Sequence, residues 1–128
     1  MRMPTILDVN PDRDALAWEQ DFIGRLEDHI STCSGPHREG ACPILNGKHC
    51  PLIHDADGIL FQLDLDREDH REILALYQQE LDVPIRVVCT PEQRERWGPL
   101  LQGVEVMTRP VGPAALDAFA AEIESSID

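Results

Sequence analysis

The chain of 128 residues is short of positive charge: 11 Lys and Arg stand against 24 Asp and Glu, for a formal net charge of -13. Such a chain has little with which to displace the counterions condensed on a phosphate backbone, so direct nucleic-acid binding is not expected. Acidic surface of this kind mostly serves solubility. Long apolar runs are missing too. Nowhere do 18 apolar residues follow one another, and the first 30 residues hold no uninterrupted apolar run of signal-peptide length. Neither a membrane span nor a secretory leader is therefore expected, and the chain reads as cytoplasmic. Internal repeats and low-complexity linkers are absent, which at this length leaves one domain over 1–128. A glycine-rich phosphate loop, a nucleophile motif and an HExxH-like site are absent as well. An enzyme is accordingly not the leading reading.

What is present is alternation. "TILDV" (5–9), residues 30–33, "GILFQLDL" (58–65), "PIRVVC" (84–89) and "GVEVMT" (103–108) read as strands. Between them lie helical patterns near 11–30, 66–81, 91–101 and 113–126. Ala15, Trp18, Phe22, Ile23, Leu26 and Ile30 recur at helical spacing in the first, with Asn10 placed to cap it and Pro11 at its first position. Asp66 stands as the cap of the second. Thr90 and Gln93 have capping-box spacing before the third, around Pro91. Strands alternating with helices predict an α/β fold, a five-stranded parallel sheet covered on both faces. The predicted core comprises Leu7, Phe22, Leu26, Ile59, Phe61, Leu74, Val87, Val106, Phe119 and Ile123.

This order of elements resembles the receiver domain of bacterial response regulators across nearly the whole chain, which implies a flavodoxin-like sheet with its site at the carboxyl ends of the strands. The family's first strand ends in an acidic pair that holds magnesium; here "ILDVNPDR" has Asp8 and then Val9. The family's third strand, typically like "ADLVLLDL", ends in the phosphoacceptor aspartate; "ADGILFQL" puts Gln62 there, with Asp64 two residues on. On the fourth strand "PIRVVCT" places Cys89 or Thr90 near the family's Ser/Thr. "TRP" (108–110) is similar to the family's "TKP", with Arg109 for the lysine. A glutamine cannot form an acyl phosphate and a valine cannot ligate a hard cation. The resemblance is thus to a degenerate, non-phosphorylatable receiver acting through a protein partner, with homodimerisation an option of the family. Asp64 is a rescue candidate on strand alternation; the plainer reading of Asp8, Asp64 and Asp66 is as strand-end and cap residues.

One segment does not belong to the alternation. "CSGPHREGACPILNGKHC" (33–50) carries Cys33, Cys42 and Cys50 with His37 and His49, and His54 follows. It forms a Cys-rich insert at about 33–54 where another crossover helix is expected. Thiolate and imidazole suit zinc, and cysteine followed by proline also fits an iron–sulfur site. The candidate ligands are Cys33, Cys42 and Cys50 with His37 or His54; His49 adjoins Cys50 and fits less well. No paired C-x2-C knuckle is present. A redox disulfide among the three, or plain thiols, are the competing readings. Cys89 reads as core. Two function classes follow: a regulatory module sensing a metal, cluster or thiol state, or a small enzyme or electron carrier using the Cys cluster or the strand-end acidic cleft.

Overall fold

β1 is Thr5–Val9, the span predicted from its apolar run. The computed structural model describes residues 5–25, 29–33, 53, 55–108 and 112–126. Within them, α1 is Arg13–Arg25, β2 His29–Cys33, β3 Gly58–Phe61, α2 Glu68–Glu80, β4 Ile85–Cys89, α3 Pro91–Arg96, β5 Glu105–Thr108 and α4 Pro113–Ser126; a 3-10 turn over Gly98–Leu101 follows α3. The strands form one sheet in the order β2-β1-β3-β4-β5, every pairing parallel. That is the flavodoxin-like order, whose direction of winding reverses between β1 and β3.

Alternation along each strand sends side chains to two cores. Leu7, Val9, Ile59, Phe61, Val87 and Cys89 face one way and pack with Ile73, Leu74 and Tyr77 of α2. Ile6, Leu60 and Val88 face the other way, against Leu116, Phe119, Ala120 and Ile123 of α4. A Cβ on Gly58 would lie 2.3 Å from Ile123 Cδ1, so α4 sits as close to β3 as a glycine allows. On the same face Arg86 pairs with Glu105 and Glu122 and lies over the Phe119 ring.

The core expectation holds for Leu7, Ile59, Phe61, Leu74, Val87, Phe119 and Ile123, while Val106, toward the β5 edge, is only partly buried. The Phe22 side chain and Leu26 lie outside the described residues.

Several local readings need correction. Trp18, expected on the inner stripe of α1, is 45% exposed, and Glu19 beside it is buried; the helix turns its acid inward. Asp12, not Asn10, caps α1: its Oδ1 accepts from the backbone N–H groups of Asp14 and Ala15. Asn10 instead accepts from Asp12 N–H in a turn, and Pro11 stands outside the helix. Arg67 occupies the cap position of α2 without a side-chain capping bond, so Asp66 is no cap. β3 ends at Phe61 because the chain turns at Asp64, whose side chain and carbonyl accept from Asp66 and Arg67 N–H. The helix predicted over 91–101 tightens at Trp97 into the 3-10 turn. The Thr90–Gln93 capping box forms as predicted, with Pro91 at the first helical position.

Candidate functional site

A buried polar pocket lies at the carboxyl ends of β1 and β3, the switch point where ligands of such sheets gather. Asp8 and Asn10, two apart, share a face of β1 and its extension. α1, started by the Asp12 cap, brings Glu19 back over that face, and the residue after β3 contributes Gln62. Asp8 is fully buried, Glu19 3% and Gln62 4% exposed. The Gln62 Nε2 donates to Asp8 Oδ1 at 3.0 Å and to both Glu19 oxygens at 2.9 Å. Asn10 Nδ2 adds a longer bond to Glu19 Oε1 at 3.4 Å. The neighbours set the direction of the Gln62 amide, since turning it over would aim its carbonyl at two carboxylates. Asp8 Oδ2 accepts no hydrogen bond. Burial first, then the hydrogen bond and charge of Glu19, push Asp8 up to about 9, against a smaller opposing effect of Gln62.

A second constellation joins the loop after β3 to α3. Gln93 Nε2 donates to Asp64 Oδ1 at 2.8 Å and Asp66 Oδ2 at 3.2 Å. Asp66 Oδ1 accepts from Arg96 at 2.6 Å and Trp97 Nε1 at 3.2 Å. The Trp97 bond is the leading cause that holds the Asp66 carboxyl below its ordinary range, with Gln93 next. Buried His70 accepts from Asp64 N–H at Nδ1, which puts a neutral ring's proton on Nε2. Its own burial lowers its pKa.

These contacts place the predicted residues. Asp8 and Gln62 meet. Asp64 does not join them: the strand has ended, so alternation no longer applies, and its exposed carboxylate is turned to Gln93. Thr90 Oγ1 accepts from Gln93 N–H, and Cys89 is core at 1% exposure. Cys33 closes β2 opposite Val9, its carbonyl accepting from Asn10 N–H at 2.9 Å. Cys42, Cys50, His37, His49, His54 and Arg109 lie outside the described residues, and among the described ones no three His, Cys, Asp or Glu cluster as a metal site. Glu19 is the residue of this candidate site that sequence reasoning missed. Its spacing was only permissive: it stands at i+4 from Ala15, beside the apolar stripe, where Trp18 competes for the inner face.

No family model matches the chain, and no curated protein does. Solved structures do. The receiver domain of a Francisella response regulator aligns over 98% of this chain and 99% of its own, at a TM-score of 0.71 and 12% identity. A response regulator receiver protein from Pseudoalteromonas atlantica gives 0.70 and 15%, over 98% and 100%. A CheY-like receiver domain protein from Methanospirillum hungatei gives 0.66 and 15%, over 98% and 99%. The fold is that of a receiver domain. The magnesium ion implied by the receiver resemblance does not fit the residues present. Val9, at the second acid's position, points into the apolar core on the opposite face. The Gln62 amide hydrogens engage the two carboxylates that remain.

Proposed function

We propose that this chain is a receiver-fold regulatory module that acts through a protein partner and takes no phosphoryl group. The observation that carries the reading is Gln62. It stands just past β3 with its amide held between Asp8 and Glu19, where acyl phosphate formation needs a carboxylate nucleophile and a bound cation. Incubation with a small phosphodonor and magnesium should leave the intact mass unchanged. A stable phosphoryl adduct would overturn the reading, and peptide mapping would then place it, Asp64 being the first residue to inspect.

The input proposed for the module is the Cys segment, with zinc or an iron–sulfur cluster on Cys33, Cys42, Cys50 and His37 or His54. Its support is the ligand chemistry of the segment and the place of Cys33 at the carboxyl edge of the sheet, tied to Asn10 beside the pocket. Metal ligation supplies folding free energy to a segment with few apolar residues of its own. Serine at any one of the three cysteines should release the metal and lower the melting temperature, whereas Cys89→Ser should keep the metal. Elemental analysis of anaerobically purified protein reads the outcome. Protein without metal, or metal retained by all three variants, would dismiss this input.

A further inference from the structure

Two carboxyl groups taken out of water need a proton, a cation or hydrogen-bond donors beside them. In the pocket of Asp8 and Glu19 the donor is an amide. Gln62 Nε2 has two hydrogens, and the three contacts at 2.9–3.0 Å direct one to Asp8 and share the other between the two oxygens of Glu19. A single nitrogen thus touches three carboxylate oxygens from two chain segments, as a small cation does. The substitution is incomplete. An amide carries no charge, and no donor reaches Asp8 Oδ2, on a side chain with no solvent exposure. Asn10 completes the rim with its long bond to Glu19.

We propose that Gln62 is a built-in substitute for a cation: its amide fills a latent divalent-cation site formed by Asp8, Glu19 and Asn10. The attachment of α1 to β1 and to the end of β3 is thereby made independent of metal. Glu19 distinguishes this site from an acidic pair on β1, because the second acid comes from α1 and the cation-like contact ties that helix to the sheet. The contact that a held magnesium ion would make with the acids of this pocket is here made permanently by the amide. The inference deepens the regulatory reading above and shares with it the position of Gln62 at the end of β3.

The test compares the full chain with Gln62→Ala and with Gln62→Ala/Glu19→Gln, titrated with Mg2+ or Mn2+. Free Mn2+ is read by its electron paramagnetic resonance signal and stability by melting temperature. Wild type should show no Glu19-dependent binding and no melting shift. Gln62→Ala should bind one further Mn2+ that wild type does not bind, and melt about 5 °C higher at a tenfold excess over its Kd. The double variant should lose both gains. If Gln62→Ala is unfolded without cation, folding on addition of Mg2+ is the expected result. Gln62→Asn, too short to span both carboxylates, is the second variant for the same comparison. Equal cation responses of wild type and both Gln62 variants, whether all bind or none does, overturn the inference. Phosphoryl uptake by wild type, with these cation results intact, would overturn the regulatory reading and leave the substitution standing.

Discussion

Replacing Asp8 by asparagine should raise stability at pH 8, on the order of 2–4 kcal/mol, and flatten the pH dependence of folding. Burial and the neighbouring Glu19 push Asp8 up to about 9 from an ordinary value of 3.8. Below the lower value the native and unfolded chains both hold the proton, and the contribution of this group is fully present. Between the two values the native chain keeps a proton that the unfolded chain has released. The unfolded state then binds fewer protons, so stability falls as pH rises, by up to about 1.4 kcal/mol per pH unit, until pH passes the native value. Asparagine has no proton to lose, and its amide can donate to Glu19 as a protonated Asp8 does. Urea unfolding of both proteins at several pH values between about 5 and 9 measures the difference. Parallel stability curves would show that Asp8 is ionised in the native protein.

Truncating Phe61 to alanine should cost about 3–5 kcal/mol. Phe61 has no exposed surface, sits on β3 in the middle of the sheet and meets Tyr77 of α2 edge to face at a centroid distance of 6.1 Å. Removing the ring takes away apolar burial and the aromatic pairing, and it opens a cavity between sheet and helix that neither can collapse to fill. Phe119→Ala tests the opposite face with a similar expected loss, since that ring packs against Ile6, Leu60 and Val88 and beneath Arg86. A domain of this size is stable by only about 5–15 kcal/mol. Either change should therefore bring the denaturant midpoint down by about a fifth or more, with an unchanged slope. Losses under about 1.5 kcal/mol would mean that these rings do not anchor the two cores.

The two results bear on different parts of the protein's design. The Phe61 and Phe119 cores hold helices on a sheet, as any doubly wound domain requires. The Asp8–Glu19–Gln62 pocket does the opposite of a stability optimum. It keeps two acids out of water at the point where such sheets bind ligands, and a single amide holds them together. Buried polar groups of this kind are retained at functional positions in preference to well-packed apolar ones. That bias supports reading the carboxyl edge of the sheet as the candidate functional site of this chain.

Much of the architecture was legible in the residues taken one segment at a time. "TILDV" and "IRVVC" are apolar runs of strand length, and "TPEQ" carries a capping box with proline at the first helical position. Each owes its conformation to contacts within a few residues, so a local pattern is enough to define it. Their alternation then leaves few topologies, because parallel strands need crossovers and crossovers cover both faces. The absence of a carboxylate at Gln62 was equally readable, since it concerns residue type and not geometry. Tertiary structure alone decided the inward turn of Glu19 and the exposure of Trp18. Helical spacing permits either residue to face the sheet, and the choice rests on polar partners that β1 and the end of β3 supply from elsewhere in the chain. The same holds for Asp66. Its sequence position marks a helix cap, but Arg96 and Trp97, 30 and 31 residues away, offer its carboxylate charged and indole donors that a local cap cannot match. Local energies set the elements; the pairing of buried and charged groups is a long-range property, and only the folded sheet brings its members within reach.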